Sequence, residues 1–115
     1  MLARLRFEHV EGIVIASPEG EIDMSNAAEL QDALSRRTSN DARGLVLDLS
    51  GVTYLDSAAV EAIFDLREEL GRRDQRLALA VPPGARIATA VEATGLSAEV
   101  LVAATPDEAL RDLED

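Results

Sequence analysis

The chain of 115 residues contains no cysteine and no tryptophan, and aromatic residues make up only 3% of it. Without cysteine there is no disulfide, no thiolate nucleophile and no iron–sulfur ligation, and a reducing compartment is expected. Without large rings the core must be aliphatic. Cations are scarce as well: 11 Lys+Arg stand against 22 Asp+Glu, a formal net charge of −11. Nucleic-acid binders need clustered cations to displace counterions from phosphate, so direct nucleic-acid contact is excluded. The same repulsion disfavours an anionic membrane surface. No apolar run approaches the roughly 18 residues of a membrane span. The opening twelve residues alternate where a secretory signal would be continuously apolar. A cytoplasmic protein with protein or small-molecule partners is the expectation.

Catalytic constellations are missing too. No Gly-rich loop of the Walker or dinucleotide kind is present, and no His/Cys cluster has zinc spacing. The single His9 lacks a Ser/Asp partner pattern and reads as surface near a hairpin turn. The acidic pairs Glu68-Glu69 and Glu114-Asp115 fall on a solvated helix face and at the terminus. The expectation is no enzyme, no metal and no cofactor.

What is present is an apolar content of 47% with 29% charged residues, as in a globular protein. The length suits one domain spanning 1–115. Leu2, Leu5, Phe7 and Val10 suggest a first strand, and Gly12 to Ala16 a second, stopped near Pro18 and Gly20. From Ser25 to Arg37 the stripe Ala27, Leu30, Ala33 and Leu34 predicts a helix, with Asn26 and Glu29 at the spacing of a capping box. Leu45 to Leu49 reads as a strand covered on both faces. The strongest helix runs from Ser57 to Arg73 on Ala59, Val60, Ile63, Phe64, Leu66 and Leu70. Leu77 to Val81 is a further buried strand. A helix from Arg86 to Thr94 stops at Gly95, a strand covers Glu99 to Val102, and a helix opens at Thr105 or Pro106. The order β-β-α-β-α-β-α-β-α predicts an α/β sandwich: a mixed sheet with helices packed on it through right-handed crossovers.

One segment stands apart. After the strand ending at Leu49 the chain passes through a short loop, and Asp56-Ser57 falls where the long helix begins. Two readings of that pair share the same physics. Asp and Ser are preferred N-cap residues, because their oxygens accept the unpaired N–H groups of the first turn. A hydroxyl there is also exposed and rigidly held, at the positive end of a helix dipole that attracts phosphate. With Asp56 alongside, such a phosphate would leave the fold intact and change what docks on that surface.

The residues Gly20-Glu21-Ile22-Asp23, then Leu47-Asp48-Leu49-Ser50-Gly51-Val52-Thr53-Tyr54-Leu55-Asp56-Ser57, and Ala93-Thr94-Gly95-Leu96 further on, stand in register with the predicted elements. With them the whole chain resembles the STAS domains of anti-sigma factor antagonists. That resemblance implies a single STAS domain that binds an anti-sigma factor of serine kinase type. Ser57 would be the phosphoacceptor, and a PP2C-type phosphatase would reset it. Phosphorylation would, on that resemblance, release the partner, so that transcription would be affected without direct nucleic-acid contact and without membrane insertion. The partner-contact residues it implies are Asp23, Asp56, Ser57 and Ala58; for Asp23 the local alternative is a plain acid favourable to a helix dipole. The family usually reads Asp-Ser-Ser/Thr-Gly, whereas this chain has Asp56-Ser57-Ala58-Ala59. A methyl in place of the glycine stands where a partner backbone would approach, and Ala58 leaves Ser57 as the lone hydroxyl. The departure raises the alternative of a non-switching STAS accessory subunit of a transport ATPase or signalling scaffold. A nucleotide hydrolase is a remote third reading, with no phosphate loop or base to support it. The acidity predicts a monomer.

Overall fold

The computed structural model describes residues 4–114. Leu2, assigned to the first strand from sequence, lies outside them, as does Asp115. The chain runs β1 (Arg4–Val10), β2 (Ile13–Ile22), α1 (Ala27–Arg37), β3 (Gly44–Asp48), β4 (Val52–Leu55), α2 (Ser57–Gly71), β5 (Arg76–Ala80), α3 (Arg86–Ala93), α4 (Leu96–Glu99), β6 (Leu101–Ala103) and α5 (Pro106–Glu114). The expected α/β class with a mixed sheet is what forms. Five strands lie in the order β1-β2-β3-β5-β6, with β4 paired to β2 off that path. The β1–β2 hairpin is antiparallel, and every other pairing is parallel.

Alternation along the central strands explains why both faces are covered. Val14, Ala16, Leu45, Leu47 and Leu79 point into one cluster with Leu30 and Leu34 of α1, Leu66 and Leu70 of α2, and Val91 of α3. Their neighbours Ile13, Ile15, Val46, Ala78 and Ala80 point the other way, against Ala109 and Leu113 of α5. A strand buried on both faces must be apolar at successive positions. That is why Leu45 to Leu49 shows no alternation in sequence.

The structure differs from the sequence reading in four places. β2 does not stop at Pro18 but continues to Ile22. Its residues 13–16 pair with β3 and residues 20–22 with β4, so Pro18 falls between the two ladders. The register shifts between Gly20 and Glu21, where Gly20 takes φ 94, a left-handed bulge conformation that glycine adopts without steric cost. The supposed loop after β3 contains the strand β4, whose Val52 and Leu55 are buried while Thr53 and Tyr54 face out. Gly95 does end α3 with φ 84, but residues 96–99 then form one helical turn, so the last strand starts at Leu101. The Asn26–Glu29 capping box does not form; Asn26 caps α1 without a side-chain hydrogen bond to it. Its amide is used elsewhere.

Candidate phosphorylation and partner-docking site

Parallel pairing of β2 with β4 sets Ile22 opposite Leu55. The residues that follow, Asp23 and Asp56, therefore emerge side by side at the carboxyl ends of their strands. That end of a parallel sheet is where α/β proteins place ligand and partner sites. The backbone N–H of Asp56 still donates to Ile22 O at 3.3 Å, extending the ladder to the threshold of α2.

Asp56 is the N-cap of α2, with φ −97 and ψ −175. Its Oδ1 accepts from the Ala59 N–H at 2.9 Å, and its carbonyl accepts from the Val60 N–H at 3.1 Å. The capping reading of this residue is thus realised, but only half of the carboxylate is used for it. Oδ2 accepts from the backbone N–H of Met24 at 2.9 Å, across 32 residues of chain. One half-buried side chain thereby clamps the β2–α1 loop to the start of α2.

The rest of that loop is tied down from within. Asn26, 5% exposed, accepts from the Asp23 N–H at 2.9 Å through Oδ1 and donates to Glu21 O at 2.9 Å through Nδ2. Asp23 O accepts from the N–H groups of Asn26 and Ala27. The Asp23 carboxylate accepts from both the hydroxyl and the backbone N–H of Ser25. These two bonds, the hydroxyl first, hold its pKa below the ordinary aspartate value, because they favour the charged form. Asp23 is therefore a fixed anion of its own loop, beside the threshold of α2.

Because Asp56 caps the helix, Ser57 is released from that duty. It occupies the first helical position and is exposed. With the Ala59 N–H taken by Asp56, the N–H groups of Ser57 and Ala58, which have no intrahelical acceptor, remain available to an anion. Ala58 is half-buried. Ala59 is 1% exposed and belongs to the core cluster under α2. The methyl that replaces the usual glycine thus points inward, and the expectation that it stands in the path of a partner is corrected.

Two residues of this surface were not singled out from sequence. Met24 is 82% exposed, and its backbone is held by Asp56. Tyr54, 50% exposed, projects from β4 two residues before Asp56. The signal for Met24 was available: one long apolar side chain within the polar run Asp23-Met24-Ser25-Asn26. Tyr54 could be placed only once β4 was known. His9 is exposed on β1. Among the described residues no group of three His, Cys, Asp or Glu side chains is placed to hold a metal ion, and no helix is long and apolar enough to cross a membrane.

With the fold and this junction in view, the class is that of small α/β domains with a mixed sheet and an exposed hydroxyl at a capped helix start. The STAS domain family model matches residues 4–109, and the chain belongs to the STAS family. Anti-sigma-F factor antagonist RsfB of Mycobacterium tuberculosis is 33% identical over 61 residues, covering 53% of this chain and 50% of that protein. The Arabidopsis thaliana protein named Probable sulfate transporter 3.4 is 28% identical over 120 residues, covering 90% of this chain but 18% of that protein. The chain thus spans about half or less of these two relatives. Among solved structures, an anti-sigma factor antagonist from Mycobacterium paratuberculosis superimposes with a TM-score of 0.81 at 27% identity, covering 97% of this chain and 94% of that one.

Proposed function

We propose that this STAS domain is an anti-sigma factor antagonist that binds a kinase-type anti-sigma factor and is switched by phosphorylation of Ser57. The observation that carries this reading is the division of labour at the start of α2. Asp56 holds the helix and the loop, while Ser57 holds nothing and is exposed. A phosphate can therefore be added without breaking a structural contact. The likeness to antagonists in two mycobacteria supports the same reading.

The unmodified surface presents Met24 and Tyr54 as apolar anchors around Asp23, Asp56, Ser57 and Ala58. Long apolar and aromatic side chains at the centre of a patch are the usual source of binding energy. Phosphorylation places up to two negative charges at the first position of α2, next to the Asp56 carboxylate. The helix dipole and free N–H groups tolerate the phosphate within the folded domain. Burial of that charge against a partner that does not neutralise it is costly. A swing from almost fully bound to almost fully free requires about 5.5 kcal/mol of differential affinity, and an uncompensated buried dianion is of that order. The partner then departs, a PP2C-type phosphatase restores the hydroxyl, and the domain acts in the cytoplasm as a monomer without enzymatic activity of its own.

The experiment is a pull-down from the source cell with wild-type protein and with S57D. The wild type retains a serine-kinase anti-sigma factor and S57D loses it, while their thermal midpoints agree within about 2 °C, as for a surface change. Equal retention of the kinase by S57D contradicts the switch. The similarity to a plant sulfate transporter over 90% of the chain favours a second reading, that of a non-switching STAS accessory module of a transport protein or signalling scaffold. Co-purification with a transport subunit, with Ser57 unmodified throughout, would select it.

A further inference from the structure

The two edges of the sheet differ in what protects them. At one end β6 is only three residues long. At the other, β1 runs for seven residues, pairs only with β2, and keeps an unbroken register with it. Bulges, prolines and lysines are the usual means of blunting such an edge. β1 has no proline, and the chain has no lysine.

The turn into β2 fixes which backbone groups of β1 are left over. Glu11 and Gly12 have φ 50 and 84, and Val10 stands opposite Ile13. A two-residue turn of this kind closes on a hydrogen-bonded pair. Alternation then directs the N–H and C=O groups of Arg4, Arg6 and Glu8 to β2, and those of Leu5, Phe7 and His9 outward. Leu5 and Phe7 are half-buried beside the cluster that holds α1, with the Arg37 guanidinium 4.1 Å from the Phe7 ring centroid. Arg4, Arg6 and Glu8 are exposed on the opposite face. Arg4 and Arg6 share Glu19, at 4.0 and 3.6 Å, while Glu8 has no ion pair among the described residues.

We infer that β1 pairs antiparallel with β1 of a second copy of this chain, about a twofold axis through Phe7. In that register Phe7 meets Phe7 of the second copy and Leu5 meets its His9, each pair joined by the outward backbone groups. Arg6 then falls opposite Glu8 of the second copy, and Glu8 opposite its Arg6, so the symmetry forms the ion pair twice. These are the non-hydrogen-bonded positions, where cross-strand side chains come closest. Charge also selects the register. An axis at Arg6 or at Glu8 sets that residue against its own copy, and an axis at Leu5 sets Arg4 against Arg6. Like charges directly opposite are destabilising. An axis at His9 runs Arg6 and Phe7 against the Glu11–Gly12 turn.

Two copies at a net charge of −11 repel at a distance, so a dilute chain is a monomer and pairing belongs to high concentration. The Ser57 switch needs only one copy. β1 lies along residues 13–19 of β2, ahead of the residues 20–22 that pair with β4 and lead to Ser57. The inference therefore does not rest on the switch.

Sedimentation velocity over a concentration series up to about 1 mM tests it. The mass should rise from one copy towards two. R6E and E8R each set like charges opposite one another twice, and each should weaken pairing about tenfold or more. E8R also lowers the net charge, so general repulsion cannot explain its loss. R6E/E8R recreates the opposite charges and should pair as the wild type does. All three change exposed side chains, and circular dichroism checks that they melt with the wild type. In 15N-labelled protein, amide exchange at Leu5, Phe7 and His9 should slow with concentration, whereas Arg6 and Glu8 exchange slowly throughout. A mass of one copy over the whole range, pairing by E8R equal to wild type, or a folded double variant that fails to pair would overturn the inference. Pairing without slower exchange at Leu5, Phe7 and His9 would place the contact elsewhere and overturn it too. So would protection of these amides only on adding the captured anti-sigma partner, which would assign the edge to that protein.

Discussion

The Asp56 clamp makes a prediction whose magnitude follows from two distances. Oδ1 meets the Ala59 N–H at 2.9 Å and Oδ2 meets the Met24 N–H at 2.9 Å. Loss of an Asp N-cap to alanine costs about 1 kcal/mol. The bond to Met24 involves a charged acceptor, but Met24 is 82% exposed, so water replaces much of what is lost and about 1 kcal/mol is the reasonable share. D56A should therefore lose about 2 kcal/mol, near 8 °C in midpoint at about 4 °C per kcal/mol for a domain of this size. Asparagine is an equally good N-cap but offers one acceptor oxygen instead of two. D56N should keep the helix start, release the loop and lose only about 1 kcal/mol. Thermal unfolding by circular dichroism gives the midpoints, and amide exchange at Met24 reports the loop directly. Exchange at Met24 should rise about fivefold in D56N, the factor that 1 kcal/mol represents, with Ala59 unchanged. Midpoints within 1 °C of wild type for both variants, or Met24 exchange as slow in D56N as in wild type, would refute the two-handed role of Asp56.

Three further outcomes follow from the same geometry. The Asp23 pKa is depressed chiefly by the Ser25 hydroxyl, so its contribution to stability is present above the ordinary aspartate range and is lost as pH falls through the folded-state value; S25A should raise the Asp23 midpoint measured by carboxyl 13C shifts, and an unmoved midpoint would deny the bond. M24A and Y54A, at sites 82% and 50% exposed, should leave the melting midpoint within about 2 °C of wild type yet weaken binding to the captured partner by about tenfold or more, as interface anchors do; unchanged affinity in both would remove them from the docking surface. L66A, at a position 1% exposed under α2, should cost about 2–5 kcal/mol by urea unfolding, and a loss below 1 kcal/mol would mean that α2 is not packed as described.

Part of this was legible in the sequence and part was not, for identifiable reasons. The α2 stripe was readable because Ala59, Val60, Ile63, Leu66 and Leu70 repeat at helical spacing and are all buried. Asp56 and Ser57 were readable because capping chemistry and the start of that stripe coincide. β4 was missed because its buried Val52 and Leu55 flank two exposed residues, which is not the alternation by which a strand announces itself. The adjacency of Asp23 and Asp56 depends on the pairing of Ile22 with Leu55, a contact across 33 positions that no local pattern encodes. Asn26 misled because its spacing to Glu29 is a local signal, whereas its amide is claimed by Glu21 O and the Asp23 N–H of the preceding turn. The inward methyl of Ala59, by contrast, was implied by the sequence, since Ala59 belongs to the apolar stripe that sets the phase of α2 against the core.

The central claim is that a phosphate on Ser57 ends partner contact. It is tested most directly by mixing the domain with its captured kinase-type partner and ATP, then following phosphate on Ser57 by mass spectrometry and the complex by size exclusion in the same samples. The account predicts that the unphosphorylated fraction and the bound fraction fall together, and that S57A stays bound with no phosphate added. Full phosphorylation of Ser57 with the complex intact, or release of the partner from S57A at the wild-type rate, would contradict it.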